Sequence, residues 1–190
     1  MGIIDELDLI IQQSQEHLGF AFVCVASLWI VHFLNWLLRY RLNYFGILPR
    51  HVLGLPGIFF APFLHGSFEH LFLNSIPAFI LIDLVCIYGT SVFISLTLYI
   101  VIVSGFAIWL FGRKALHIGA SALILGYWGF LLAGSFYQSS ALTVILAVIC
   151  FFYLGSMALS LLPIQKGASW EGHVFGCLAG ISYWYVHAYL

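Results

Sequence analysis

The chain has 190 residues, of which 63% are hydrophobic and only 7% are charged, and its mean hydropathy is +1.08. A water-soluble domain carries about 25% charged residues, and a chain of this length has too little interior to bury so much apolar surface. We therefore predict an integral membrane protein. The net charge of −1 provides no basic field for binding nucleic acid.

Apolar runs separated by polar breaks predict six membrane-spanning helices, because about 20 residues cross a bilayer. A short polar leader is expected at residues 1–16, and its acidic residues stand where a secretory signal would be basic. The runs are continuous rather than alternating, which predicts an all-α membrane fold rather than an all-β one. The predicted spans are residues 17–38, 70–89, 91–111, 118–137, 141–162 and 171–190.

The connection at residues 42–69 differs from the short loops expected elsewhere. It is too apolar for a solvated loop, yet it is interrupted by Pro49, Pro56 and Pro62 and by four glycines. We interpret it as an interfacial element that lies against or partly in the bilayer, where protein or headgroups satisfy its backbone. A misplaced seventh span is the alternative.

The cysteines and acidic residues do not form a recognisable metal or aspartyl site. All four cysteines fall within apolar runs without a C-x-x-C pair, which favours small buried hydrophobic residues over disulfides or metal ligands. Glu69-His70 has no second histidine one turn later, as a zinc protease motif would require. Only Asp83 lies inside a predicted span, whereas an aspartyl protease needs two aspartates. We predict no metal and no cofactor.

Polar residues recur at the starts of alternate spans. In an antiparallel bundle of six spans, the second, fourth and sixth all begin on the same membrane face. Ser121 and His173 each follow a lysine by seven residues, so a rise of about 1.5 Å per residue places both roughly 10 Å inside that face. Polar groups at this depth are usually functional. The polar residues at these starts are His70, Asn74, Ser121 and His173.

Small residues accompany the serine and the histidine. Gly176 and Gly180 lie on the helix face of His173, and Gly126 follows Ser121 in the fourth span. Small-x-x-x-small faces allow membrane helices to approach closely, as a Ser–His hydrogen bond of about 2.6–3.2 Å requires. A hydroxyl and an imidazole are the groups that nucleophilic acyl transfer uses. The alternative is that these glycines serve packing only.

These residues resemble the motifs of the rhomboid family of intramembrane serine proteases. The run 119–122 (Gly-Ala-Ser-Ala) resembles the family's GxSG motif, and His173 with its glycines resembles the sixth helix. The spacing of His70 and Asn74 matches HxxxN in the second helix, and His65 fits a histidine often found before it. The first loop of the family corresponds to residues 42–69. The resemblance implies a single six-helix rhomboid-like domain at 17–190, in the minimal bacterial form.

The resemblance also implies roles for the residues. Ser121 would be the nucleophile and His173 the general base, without a third acidic member. His70, Asn74 and the backbone N–H of Ser121 would hold the oxyanion. The substrates would be single-pass transmembrane proteins, which the enzyme would cleave inside the membrane. The enzyme itself would be a multi-pass protein of the bacterial inner (cell) membrane, in contact with its lipids.

Three departures from the family pattern keep a second class open. Ala122 replaces the glycine after the serine, which adds a methyl group beside the oxyanion pocket. Leu125 stands where many members have a tyrosine stacked on the histidine, and the Trp-Arg pair common in the first loop is absent. The alternative is a non-catalytic rhomboid-like protein that binds or retains transmembrane helices.

Four further polar residues have structural interpretations. His32 is expected to pack inside the first span, and Asp83 to be a hydrogen-bonded or snorkelling group near the far end of the second. Glu171 is interpreted as a helix-start carboxylate. His117, at the mouth of the fourth span, is either an interfacial residue or one that tunes the site.

Two arguments disagree on membrane orientation. All six basic residues fall in loops on the face where the second, fourth and sixth spans begin, and the positive-inside rule places such a face in the cytoplasm. The family resemblance implies a cytoplasmic N-terminus and the opposite placement, which we adopt as the expectation. A reporter fused to the loop at residues 112–117 distinguishes them, since a cytoplasmic signal there would overturn the family orientation.

Overall fold

The computed structural model describes residues 3–138, 140–163 and 169–187, and the described chain is helical, with one isolated β-bridge and no strand. The predicted all-α class is confirmed. Short 3₁₀ helices occupy Arg41–Phe45, Val52–Gly54, Ala61–Phe63 and Gly155–Leu161. The α-helices are α1 (Ile3–Leu37), α2 (Gly57–Phe60), α3 (Phe68–Cys86), α4 (Thr90–Phe111), α5 (Ser121–Tyr137), α6 (Ala141–Leu154) and α7 (Trp170–His187).

Within the part of the chain that the structure describes, three helices are long and apolar enough to cross a membrane, namely the Leu7–Leu37 part of α1, α3 and α4. A fourth span results if Ala141–Phe152 and Gly155–Leu161, which meet at 66°, are taken together. The count of six therefore stays a prediction. Large apolar side chains such as Phe22 and Ile30 cover the outer surface, as expected for an integral membrane protein surrounded by lipid.

The first helix is longer than the predicted first span. Helix α1 begins at Ile3, so the described part of the predicted leader continues into the span without a break. The leader is rich in Glu and Gln, which favour helix, and contains no proline. The Ser14 hydroxyl donates to the buried carboxylate of Asp83 in α3 at 2.5 Å. Asp83 is thus the hydrogen-bonded structural group that the sequence predicts.

Helix α5 is the centre of the bundle and contacts α3, α4, α6 and α7. Its contact with α7 is made by backbone, because a Cβ atom at Gly176 would overlap the Ala122 carbonyl and one at Gly180 would overlap the Gly126 carbonyl. A Cβ at Gly129 would in turn lie 2.6 Å from the carbonyl oxygen of Cys177. The expectation that glycines bring these two helices together is confirmed.

The predicted segment at residues 42–69 consists of short helical pieces up to residue 67, none of them long enough to span a membrane, and its last two residues begin α3. It is anchored to the C-terminal end of α4. The Arg50 side chain donates to the carbonyls of Leu110 at 3.0 Å and Gly112 at 2.8 Å, and the Trp109 indole donates to the carbonyl of His51 at 2.9 Å. A cation that satisfies free carbonyls at the negative end of a helix is favourable.

The glycine contact predicts a measurable asymmetry between two glycine substitutions. Gly180→Ala should destabilise the protein by about 1–3 kcal/mol or more, because a methyl group there forces the α5 and α7 backbones apart. Gly19→Ala, in α1, is the matched control. A Cβ at Gly19 meets nothing within 4 Å, so alanine should stabilise that helix by up to about 1 kcal/mol. Unfolding in detergent measures both, and equal stabilities would contradict the contact.

Candidate active site

The four residues singled out in the sequence line one cavity of about 580 Å³. His70 and Asn74 come from the start of α3, Ser121 is the first residue of α5, and His173 lies in the first turn of α7. The helix order therefore brings them to the same end of the bundle, as the span alternation predicts.

Ser121 is placed at the N-terminus of α5 by the loop before it. Gly119 has φ 117°, a left-handed conformation that favours glycine, and its N–H donates to the carbonyl of Ala61 in the first loop at 2.9 Å. The first N–H groups of a helix have no partner within the helix and form its positive end. The Ser121 hydroxyl thus stands beside backbone donors that suit a developing negative charge.

A hydrogen bond from the His173 ring to the backbone holds this side chain in one orientation. Its Nδ1 lies 2.8 Å from the carbonyl oxygen of Ser160, just beyond α6. Because a carbonyl only accepts hydrogen bonds, Nδ1 carries the proton, and Nε2 of the neutral ring is left as the acceptor. The His173 side chain is mostly buried, at 9% exposure. This tautomer is the one that a general base requires.

Ser121 and His173 do not form a direct hydrogen bond in the structure, although both line the cavity. Hydrogen bonds between catalytic groups are often long without substrate and shorten when it binds. The arrangement is therefore compatible with a dyad.

His70 and Asn74 lie against the loop that leads to Ser121. A Cβ atom at Gly119 would stand 2.8 Å from Cε1 of His70, 3.0 Å from its Nε2 and 3.7 Å from Nδ2 of Asn74. Nδ2 of Asn74 is buried and has no hydrogen-bond partner within the described residues. A buried donor without a partner costs about 1–3 kcal/mol, so this amide is available to an acceptor entering the cavity.

Two further histidines lie behind His70. The rings of His65 and His70 are 5.1 Å apart, and those of His32 and His65 are 6.3 Å apart. Burial lowers the pKa of His65 to about 3, and the neighbouring His70 adds to the decrease. His32 is fully buried and packs edge-on against Phe68 at 4.6 Å. His32 is therefore a packing residue, as predicted, and neutral His65 supports His70 from behind.

The departures at Ala122 and Leu125 fall on different sides of Ser121. Ala122 does not line the main cavity and packs against the small apolar cluster of Ile47, Ala61 and Ile108. Its methyl group thus points to the first loop and α4, contrary to the expectation of a methyl beside the oxyanion pocket. Leu125 is buried and lines the cavity.

Sequence reasoning missed several polar contacts at this end of the bundle. Glu171 lies in the first turn of α7, as predicted, and also approaches Arg113 at 3.6 Å. His117 is buried and contacts Ser169. Ser169 precedes His173 by about one helical turn, and this spacing in the sequence could have indicated that Ser169 lies near the site. The role of Ser160 has no sequence signal, because it depends on the bend that follows α6.

Comparison with known proteins agrees with this arrangement. The family model for the Rhomboid domain matches residues 50–189. The chain belongs to the rhomboid family. The uncharacterized protein Rv1337 of Mycobacterium tuberculosis is 35% identical over 175 residues, which cover 87% of this chain and 71% of the relative. The uncharacterized protein ML1171 of Mycobacterium leprae is also 35% identical, over 87% of this chain and 68% of its own length.

Two glycines at the cavity end of this rhomboid predict different outcomes on substitution. Gly119→Ala should destabilise the protein by about 1–2 kcal/mol from its positive φ alone, and its methyl group would displace the His70 ring. Gly66→Ala is the control at the same cavity, since a Cβ there meets only Cδ1 of Ile118, at 3.9 Å. Thermal unfolding in detergent compares the two, and equal midpoints would contradict the close approach at Gly119.

Proposed function

We propose that this rhomboid is an intramembrane serine endopeptidase that cleaves transmembrane helices with Ser121 and His173. The observation that carries the proposal is the convergence on one cavity of a helix-start hydroxyl, an imidazole and an amide donor. Among the described residues, neither Nε2 of this imidazole nor the amide donor has a hydrogen-bond partner. Each group is of the type that acyl transfer needs, and each is polar in a chain that is otherwise strongly apolar.

The proposed reaction begins with proton transfer. Nε2 of His173 takes the hydroxyl proton of Ser121 while the oxygen attacks the carbonyl carbon of the scissile peptide. The imidazolium then gives its proton to the leaving amine, and an acyl-enzyme remains on Ser121. Water, deprotonated by His173, hydrolyses this ester and restores the serine. The Ser160 carbonyl keeps Nδ1 protonated and stabilises the charged ring throughout.

The tetrahedral intermediate places a negative charge on the former carbonyl oxygen. The proposed donors are the backbone N–H of Ser121, Nδ2 of Asn74 and the His70 ring, which lie around Gly119. Because these donors are fixed in a mostly apolar environment, they need little reorganisation when the charge develops.

The substrate class follows from the location of the site. Peptide carbonyls in a transmembrane helix are already hydrogen-bonded within the helix, so the segment to be cleaved must unwind before Ser121 can reach it. We therefore propose single-pass transmembrane proteins with helix-breaking residues near the cleavage point. The mycobacterial relatives are bacterial proteins, which supports a bacterial cell membrane as the site of action.

Removing the nucleophile should separate activity from folding. Ser121→Ala should abolish cleavage of a model transmembrane substrate in liposomes, while stability changes by only about 1 kcal/mol. His173→Ala should be equally inactive. Ser135→Ala is the matched control, because it removes a hydroxyl from the same helix that donates to the carbonyl of Leu132, outside the cavity.

Labelling with a fluorophosphonate probe provides a second readout, since only an activated serine reacts. Cleavage or labelling retained in folded Ser121→Ala would eliminate this nucleophile. A wild-type protein that binds transmembrane helices but neither cleaves them nor labels would support the non-catalytic alternative instead.

Removing an oxyanion donor should act on turnover. His70→Ala and Asn74→Ala should each lower kcat, by up to about 10²–10³-fold, with a smaller change in KM, because the donors act on charge that develops in the transition state. Phe72→Ala, which removes an exposed side chain between them, should leave kcat unchanged. If His70→Ala or Asn74→Ala raised KM without lowering kcat, the oxyanion role of that residue would be wrong.

A further inference from the structure

His117 connects three segments around the cavity. Its backbone N–H and carbonyl both pair with Ile47 of the first loop, each at 2.9 Å. Its ring lies 2.5 Å from the Ser169 hydroxyl through Nδ1 and 3.1 Å from the Arg113 carbonyl through Nε2. The His117 side chain is only 4% exposed. The first loop, the α4–α5 loop and the start of α7 therefore meet at one residue.

The partners of the ring determine its tautomer. The Arg113 carbonyl can only accept, so Nε2 of His117 carries the proton and Nδ1 accepts from the Ser169 hydroxyl. Burial lowers the pKa of His117, which favours the neutral ring. The Ser169 hydroxyl therefore has a defined role as donor between two segments that are 52 residues apart in sequence.

Both ends of this hydrogen bond are close in sequence to the proposed dyad. His117 precedes Ser121 by four residues, through the constrained Gly119. Ser169 precedes His173 by four residues, and its carbonyl accepts the N–H of His173 at 3.2 Å. A change in the distance between His117 and Ser169 would therefore pass directly to the two reacting groups.

We propose that the hydrogen bond between His117 and Ser169 is a positioning contact that sets the separation of the Ser121 hydroxyl and Nε2 of His173. The inference rests on the proposed function. His117 and Ser169 are positioning residues, because they act through the loop and the first turn of α7. The pairing of His117 with Ile47 extends the contact to the first loop, so that a displacement of that loop changes the dyad geometry.

The test uses variants that separate the two ring contacts. In His117→Asn the amide replaces Nδ1 and keeps a partner for Ser169, whereas in His117→Gln the amide replaces Nε2 and keeps only the Arg113 contact. Ser169→Ala and His117→Gln should lower kcat by about 10- to 100-fold with little change in KM, since misplacing reacting groups by about 1 Å has effects of that size. His117→Asn and Ser169→Thr should retain most of the activity.

The double variant that combines Ser169→Ala with His117→Gln should be no slower than either single variant, because each substitution removes the same hydrogen bond. Ser182→Ala is the matched control. It removes a hydroxyl from α7 that contacts Tyr99 of α4 at 3.1 Å, outside the cavity, and should leave kcat unchanged. The proposal would be overturned if Ser169→Ala kept full activity, or if Ser182→Ala lost as much activity as Ser169→Ala. It would also be overturned if folded Ser169→Thr were no more active than Ser169→Ala.

A measurement without turnover separates this inference from the protease assignment. In ¹⁵N-histidine NMR spectra, His117 should show a protonated Nε2 and a hydrogen-bonded Nδ1, and the Nδ1 signal should shift in Ser169→Ala. An Nδ1-protonated His117 would overturn the contact even in an active enzyme. A wild-type protein with the expected His117 signals but no cleavage and no labelling would instead contradict the proposed function.

Discussion

The structure depends most on the direct backbone contact between α5 and α7. Gly176 and Gly180 leave no room for a side chain between the two helices, so their carbonyl and Cα atoms touch. Lipid offers no hydrophobic driving force for such an association, and close van der Waals packing has to supply it. Because Ser121 begins one helix and His173 lies in the first turn of the other, the same contact brings the two helix starts that carry the hydroxyl and the imidazole close together.

Two of the basic residues at the cavity end have local structural partners. Arg50 satisfies carbonyls at the end of α4, and Arg113 approaches Glu171 at the start of α7. These partners give a reason for basic residues at this face that is independent of the positive-inside rule. For these two residues, the charge bias is therefore weaker evidence for a cytoplasmic site than the count of six suggests, and the orientation stays a prediction.

Polar groups inside the bundle differ in whether they have a partner within the protein. Far from the cavity many are paired within the protein, as Ser14 is with Asp83 and Thr97 with Tyr127 at 2.6 Å, although the Tyr88 hydroxyl and the His32 ring have no hydrogen-bond partner among the described residues. At the cavity, Nδ2 of Asn74 has no partner in the described part of the chain. An unpaired donor in an apolar interior is costly. Its position beside Gly119 fits a group that acts on a substrate rather than on the fold.

The sequence by itself determined the helical class, the membrane location and the convergence of Ser121 and His173 on one cavity, because apolar run length, helix alternation and glycine spacing are local patterns. It did not determine that the leader joins α1, nor which contacts surround Ser121 and His173. The Ser160 carbonyl reaches His173 across 13 residues and His117 reaches Ser169 across 52. Only the tertiary structure decided these contacts, since they depend on how the helix ends and loops pack around the α5–α7 contact.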